Sequence, residues 1–539
     1  MDQFEYSEQG KKNVRIRIGP PGTGKTTSLC ESAEEYVSRW GASSILICSL
    51  TKSASAEVKR RNLPIPGRRI GTMHSHCFKQ LRSPVMAESR LSQWNEDANC
   101  NYMMTGGLDL DSDTGGGMAE KSFGDKSYSD YTLLRARMAD RASWPHHVLS
   151  FAKEWEMWKQ DHDYCDFEDL IERCRDMKTH ANENPSVIYL DEAQDSSSSE
   201  LALASQWAEH CNLVMIGDPD QAIFEWRGAN PKGVSGDGLP DEHVKVLGQS
   251  YRVPRSVRDC AINWISAIRD RKPVTYQARP AEGFVERVAF DYKAGITLLK
   301  KVVSLRGRGT KSVMVIGSCA FHLAPLVAMM RQEGIPFHNP YRLRSGAWNP
   351  LAPRKGRSSP DRLRAFLSPA TAGRWSVSDL TSWLDVTRAD GLLVRNAKSR
   401  ARNWELDDYE PNDLEVASLF VPGKASEAMS AAWDSDLDWL YRHLLDSKQR
   451  AMSYPMRVVK SQGVAALHDT PGITIGTIHS VKGGEADVVI LLPDLSNPAH
   501  KDWCAGRRDQ VTRLMYVGMT RAREGLVLAS PASPMSVRW

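Results

Sequence analysis

The sequence predicts an α/β fold built on parallel sheets, and three short stretches carry that prediction. In "VRIRIGPPGTGKTTSLCESAEEYV", an alternating β-branched run from Val14 to Ile18 passes through a glycine-rich turn into helix-like spacing from Thr27 to Tyr36. "SVIYLDEAQD" and "NLVMIGDPDQ" are each an apolar run of strand length that ends in acidic residues. Uninterrupted apolar strands suit a parallel sheet covered on both faces, and in such sheets ligand sites lie beyond the carboxyl ends of the strands.

The first stretch matches the phosphate-loop pattern, and it lies in the strand–loop–helix context that the pattern requires. Gly19, Gly22 and Gly24 let backbone N–H groups curl around phosphates at a helix N-terminus, where the dipole favours anions. Pro20, Pro21 and Thr23 complete the loop, Lys25 reaches the terminal phosphates, Thr26 ligates magnesium, and Thr27 opens the helix. An Asp-Glu pair alone is ordinary surface charge. After the buried run Val187 to Leu190 it reads as a hydrolytic pair, with Asp191 holding the metal and Glu192 orienting or deprotonating water. The third run leads into Gln221, placed to read the terminal phosphate. Beyond it stand Phe224, Trp226 and Arg227, an aromatic and cationic group suited to stacking on single-stranded nucleic acid.

Composition bounds the rest. A chain of 539 residues suggests three or four folding units. Apolar runs such as "VVILLP" fall far short of the roughly 20 residues of a membrane span, and "MDQFEYSEQG" has neither a basic leader nor an apolar core, so a cytoplasmic protein without membrane anchor is expected. Its ten cysteines are scattered without metal-ligand spacing, which points to reduced, buried thiols. Net charge is only +4, yet residues 342–364 hold seven Arg and Lys against one Asp, while 405–415 hold six acids and no base. The acidic run reads as a solvated face.

"GPPGTGKTT", "SLTKSASAEVKRR", "GTMHSHCFKQL", "DFEDLI", "YLDEAQD", "GDPDQAIFEWRGA", "QSYRVPRSV", "TIGTIHSVKGGEADVV" and "YVGMTRAREGLVL" follow one another in order, and together they resemble a superfamily 1A DNA helicase of the UvrD/PcrA/Rep kind. The resemblance implies two RecA-like (P-loop NTPase) domains, each carrying a mainly helical insertion, with Mg-ATP between them and a single DNA strand across their tops. It implies that Tyr251 stacks on adenine, that Glu485 touches the ribose, and that Arg252 and Arg521 are arginine fingers beside Lys25, Glu192 and Gln221. Leu50 and Thr51, with His74, Phe224, Trp226, Arg227 and His479, would lie along the strand. Two departures stand out: Leu50 replaces the family's stacking Phe, and Gln9 is the sole upstream glutamine at a spacing comparable to the adenine-reading motif.

By this resemblance residues 1–76 and 160–255 form the first RecA-like domain, 77–159 a helical insertion with a mobile loop at 103–130, 256–340 and 466–539 the second domain, and 341–465 a second insertion for duplex or partner contact. The expected activity is ATP-dependent 3′ to 5′ movement on single-stranded DNA coupled to unwinding, in a bacterial or phage-type, nucleoid-associated protein. Expected partners are single strands and duplex junctions, with a monomeric or weakly dimeric state and room for an accessory protein. Little sequence follows the last motif here, so no appended nuclease or sizeable C-terminal partner-binding domain is expected. A translocase that strips proteins from single strands, and a non-catalytic ATP-gated clamp, are the alternatives.

Overall fold

The computed structural model describes residues 14–49, 58–97, 102–105, 122–289, 295–342, 346–353 and 357–539. By compactness the chain divides into a unit of residues 1–288, 317–320 and 477–539, and a second of 289–316 and 321–476. This division reflects packing and is separate from the motif-based one.

In the first unit, six strands form one sheet: β1 (Val14–Ile18), β2 (Ile45–Ser49), β3 (Ile70–Thr72), β4 (Val187–Asp191), β5 (Asn212–Gly217) and β6 (Val244–Val246). Their order is β3-β2-β4-β5-β1-β6 and every pairing is parallel. Period-two alternation sorts the side chains between two cores. Ile45 and Ile47 of β2, Val187 and Tyr189 of β4, and Val214 and Ile216 of β5 pack on Leu29, Cys30, Ala33 and Tyr36 of helix α1 (Lys25–Trp40). Leu46, Cys48, Ile188, Leu190, Leu213 and Met215 face the other core. Each fully buried side chain of this kind contributes about 1.5–3 kcal/mol. The helix that follows the phosphate loop is thereby fixed against the sheet.

The strand β7 (Gln249–Pro254) follows. Beyond it, β8 (Phe284–Val288), β9 (Ala486–Leu491) and β10 (Ala522–Ala529) run parallel in the order β8-β10-β9. Among the described residues every sheet is parallel, as the sequence predicts, and no helix is long and apolar enough to cross a membrane.

Residues 122–176 form a helical region held by α2 (Phe123–Ala136), α3 (His146–Asp161) and α4 (Phe167–Asp176). Trp144, Trp155 and Trp158 are buried there among Trp94, Tyr128, Tyr131 and Phe151. The expected mobile loop at 103–130 is corrected in part. Residues 106–121 lie outside the described ones, but from Phe123 the chain is helix, because Ser122 and Asp125 form a capping box and Tyr128 and Tyr131 bury one helical face.

The "DFEDLI" stretch has a mechanical role here. Asp166 caps α4, and its carboxylate accepts from Arg135 at 3.0 and 3.1 Å, Lys159 at 2.6 Å and the Trp155 indole at 3.0 Å. Arg135 also binds Asp169 at 2.7 Å and Glu172 at 2.5 Å. Attraction to Arg135 and Lys159 outweighs the burial of Asp166 and holds its carboxyl well below the usual range.

The second unit is mainly helical. The strands Val313–Gly317 and Ile473–Thr477 lie in it but for their last residues, and helix Ala324–Glu333 closes at Gly334. Around Trp383, buried helices from Ser359–Leu367 to Asp446–Gln462 gather Phe366, Trp375 and Trp439. Part of the basic run is committed internally: Arg357 pairs with Glu405 of the acidic run, and Arg364 binds Asp361 at 2.7 Å and the Leu467 carbonyl. Residues 343–345 and 354–356 of that run lie outside the described residues.

Replacing Arg135 by Met leaves three carboxylates short of their cation. The expected loss is about 3–5 kcal/mol of unfolding free energy; chemical denaturation of the purified variant measures it, and an unchanged midpoint would refute the role of this cluster.

Candidate functional site

The site is built at the carboxyl ends of β1, β4 and β5. The chain leaves β1 with Gly19 N–H donating to the Gly217 carbonyl at 2.8 Å, so the phosphate loop starts tethered to the end of β5. Gly22 sits at φ 72°, and a Cβ there would lie 2.4 Å from the Arg252 Cβ, so only glycine permits this approach. Two contacts fix β7 to the loop: Tyr251 N–H donates to Gly22 O at 2.8 Å and Ser250 Oγ to Pro21 O at 2.7 Å. Thr23 Oγ1 donates to Pro20 O at 2.8 Å and Lys25 Nζ to Gly19 O at 3.0 Å. Thr26 is partly exposed in the first turn of α1, and Thr27 Oγ1 accepts from Arg61 at 3.1 Å.

Asp191 ends β4, buried, and Glu192 follows it in a left-handed conformation, φ 53°. Gln194 Nε2 donates to Glu192 Oε2 at 2.6 Å, while Gln194 Oε1 accepts from Asp218 N–H at 3.0 Å. Burial pushes the Glu192 carboxyl up, but Lys25, Lys482, the Gln194 bond and Arg521 outweigh it and bring it down to about 2. Asp195 and Asp218 go the other way. Burial raises both to about 6, with Glu192 adding to the first and Asp220 to the second, against Lys482 and Lys25 respectively.

Gln221 lies at the centre of the polar network. Its Nε2 donates to Asp218 Oδ2 at 2.6 Å and its Oε1 accepts from Arg521 at 2.9 Å. Arg521 is 2% exposed and also donates to the Val517 carbonyl at 2.9 Å. Asp220 is held by a two-pronged ion pair with Arg271, at 2.7–2.9 Å. At the rim, Arg252 donates to Glu485 at 2.7 Å and Arg523 to the same carboxylate at 3.1 Å, which lowers the Glu485 carboxyl against its burial. Tyr251 is 70% exposed beside the loop, an open ring face.

A second cluster adjoins the first. The His479 ring lies 5.7 Å from Phe224 and 6.4 Å from Trp226, and Arg227 stands 5.8 and 5.9 Å from the two aromatic centroids. Trp226 is 45% exposed. His74 meets Phe167 edge-on at 5.9 Å and Glu200 at 3.5 Å, and burial lowers its pKa, with Arg227 of the aromatic cluster acting in the same direction against Glu200. Leu50, Thr51 and Gln9 lie outside the described residues.

Sequence reasoning missed Lys482, which joins the two clusters. Its Nζ pairs with the Asp195 carboxylate, donates to the Gln221 carbonyl at 2.8 Å and stands 5.2 Å from the Phe224 centroid. Gln194 was missed too. Both sit inside the quoted motifs, "HSVKGGE" and "DEAQD", so the signal was present without a role attached.

The donor set suits a hard cation. Among the described residues no three His, Cys, Asp or Glu side chains gather as a metal cage. One hydroxyl, Thr26, and one carboxylate, Asp191, fit magnesium, which takes few protein oxygens and completes its shell with water and substrate phosphates.

The model of the UvrD/REP helicase N-terminal domain matches residues 2–237, and that of the UvrD-like helicase C-terminal domain matches residues 472–529. Among curated relatives, the ATP-dependent DNA helicase PcrA of Bacillus subtilis strain 168 is 26% identical over 296 residues, 49% of this chain and 39% of PcrA. YjcD of the same strain is 22% identical over a 613-residue alignment that takes in 99% of this chain and 78% of that protein. PcrA of Leuconostoc citreum is 29% identical over 108 residues, 20% of this chain and 14% of the relative. The aligned part therefore spans about two fifths of the Bacillus PcrA and nearly four fifths of YjcD.

Removing the cation of Lys482 tests the wiring. Lys482→Met leaves Asp195 buried without its counter-charge, with an expected cost of about 3–5 kcal/mol at pH 8. A carboxyl whose folded pKa is raised binds protons more tightly folded than unfolded, so stability falls as pH rises through that range. Without Lys482 the Asp195 carboxyl rises further, so the deficit relative to the parent should shrink as pH falls toward about 6, below which the carboxyl is protonated in both chains. Denaturation at pH 5 and pH 8 measures it, and a pH-independent deficit would exclude Asp195 as the cause.

Proposed function

The chain belongs to the UvrD-like helicase family, and from that premise we propose that it is a DNA-dependent ATPase that moves along single-stranded DNA, 3′ to 5′, and unwinds duplex as it does so. The observation that carries this reading is the bridge made by Lys482, which ties the carboxylates beside the phosphate loop to the aromatic cluster at Phe224.

In this mechanism Gly19 to Gly24 and the N-terminus of α1 receive the phosphates, Lys25 neutralises the terminal ones, and Tyr251 offers its exposed face to the base. Magnesium, entering with the nucleotide, would be held by Thr26 and Asp191 and would supply positive charge at the phosphate oxygens. Glu192, kept ionised by the surrounding cations, orients the attacking water and accepts its proton. Arg521 donates to the Gln221 side-chain amide oxygen at 2.9 Å. They turn to the terminal phosphoryl group when it arrives, where Arg521, with Arg252, stabilises the charge that develops in transfer. Glu485, released by Arg252, is then left to the ribose.

Motion follows from the same bonds. Lys482 holds the main-chain carbonyl of Gln221, so the cation over Phe224 is disturbed when the backbone that carries Gln221 shifts with its side chain toward phosphate. Phe224, Trp226, Arg227 and His479 grip bases by stacking and cation–π contact, so the grip alternates with the state of the nucleotide.

Steady-state ATP hydrolysis with and without single-stranded DNA, followed by strand displacement on 3′- and 5′-tailed duplexes, tests the reading. Stimulated hydrolysis with displacement from the 3′ tail alone is expected. Stimulation without displacement would instead point to a translocase. Lys25→Ala and Glu192→Gln are each expected to abolish DNA-stimulated turnover while the melting temperature stays near that of the parent; retained turnover in either would overturn the assignment. Trp226→Ala should weaken single-strand binding by about 1–3 kcal/mol, the worth of one stacked base, read by fluorescence anisotropy across a salt series.

A further inference from the structure

One buried polar atom at the carboxyl end of the sheet has no use in this mechanism. Ser49 ends β2 at 1% exposure, and its Oγ has no hydrogen-bond partner among the described residues. Buried hydroxyls are nearly always paired, because an unpaired one forfeits its bonds to water without replacement. Alanine would fill this position without that penalty, so the hydroxyl points to a partner that arrives from outside.

Topology says which. β2 and β4 run parallel and in register, and Ser49 is the Cα partner of Asp191. Laterally paired residues project from the same face of a sheet, about 5 Å apart. Counting back by twos, Ser49 is in line with Ile47 and Ile45, and Asp191 with Tyr189 and Val187, the residues that pack on α1. Alternation therefore delivers both oxygen-bearing side chains to the α1 face, at the strand ends where α1 begins with Lys25 and Thr26. The hydroxyl is next to the carboxylate assigned to the cation.

We propose that Ser49 is a positioning residue for the magnesium–nucleotide, completing its hydrogen bonding on a water of the hydrated cation held by Asp191 and Thr26. This rests on the nucleotide-site reading above. With no three-ligand cage among the described residues, most of the ion's shell is water and phosphate oxygen. Such waters need acceptors fixed in the protein, and outer-shell partners of this kind are worth 10- to 100-fold in metal affinity.

The test is binding of a fluorescent ADP analogue to the full chain, titrated with magnesium, for the parent and Ser49→Ala. The variant should melt no lower than the parent without ligands, since it loses an unpaired hydroxyl. It should bind the analogue equally in EDTA and need about 10- to 100-fold more magnesium to reach its tighter-binding state. Manganese binding to the ADP complex, followed by electron paramagnetic resonance, should weaken by the same factor. An identical magnesium dependence in parent and variant overturns the role of Ser49 and leaves the nucleotide site standing. A parent that binds no nucleotide with or without magnesium overturns both.

Discussion

Crowded negative charge is the constraint on which this structure depends. Asp191, Glu192, Asp195, Asp218 and Asp220 all stand at the ends of β4 and β5, and apart from Glu192 each is at most 5% exposed. So many carboxylates share one space only if cations or protons divide them. Lys25, Lys482 and Arg521 surround Glu192 and bring it down to about 2, whereas Asp195 and Asp218 rise to about 6. The same environment therefore holds one carboxyl as a base at neutral pH while leaving others near titration. A polyphosphate entering this network competes for cations already engaged, so its arrival and departure redistribute bonds throughout the network.

Much of this was legible in the sequence where the information is local. The phosphate loop, the strands that end in Asp191 and Gly217, Gln221 and the aromatic pair are each encoded by spacing within a dozen residues, and a strand that runs straight into an acid states its own position. Residues whose role depends on a distant partner were legible only through resemblance, or not at all. Arg521 meets Gln221 across 300 positions and Glu485 meets Arg252 across 233. Lys482 has no periodicity to betray it, since what defines it is the carboxylate of Asp195, 287 residues earlier.

The misread loop has the same kind of cause on a smaller scale. Residues 122–130, rich in Ser, Asp and Gly, have the composition of a linker, and composition is blind to the reciprocal bonds of Ser122 and Asp125 that start α2. "DFEDLI" was legible as a marker of kinship, yet its physical work is to cap α4 and to centre an ion cluster with Arg135 and Lys159. A motif can be recognised without its mechanics being visible.

The lysine bridge gives the charge network a direction. Lys482 makes its three contacts with a single ammonium: the Asp195 carboxylate, the Gln221 carbonyl and the face of Phe224. A buried ammonium keeps such a set only while all three partners hold their places, because each lost contact leaves charge unsolvated. Gln221 is the one of the three that also binds Arg521, so a change in the company Arg521 keeps is felt at Lys482 and then at Phe224. Arg521, Gln221 and Lys482 make a chain of three residues that ends at the Phe224 ring. In the proposed mechanism a chain that short lets a change of partner at Arg521 reach Phe224 without a large rearrangement of the fold.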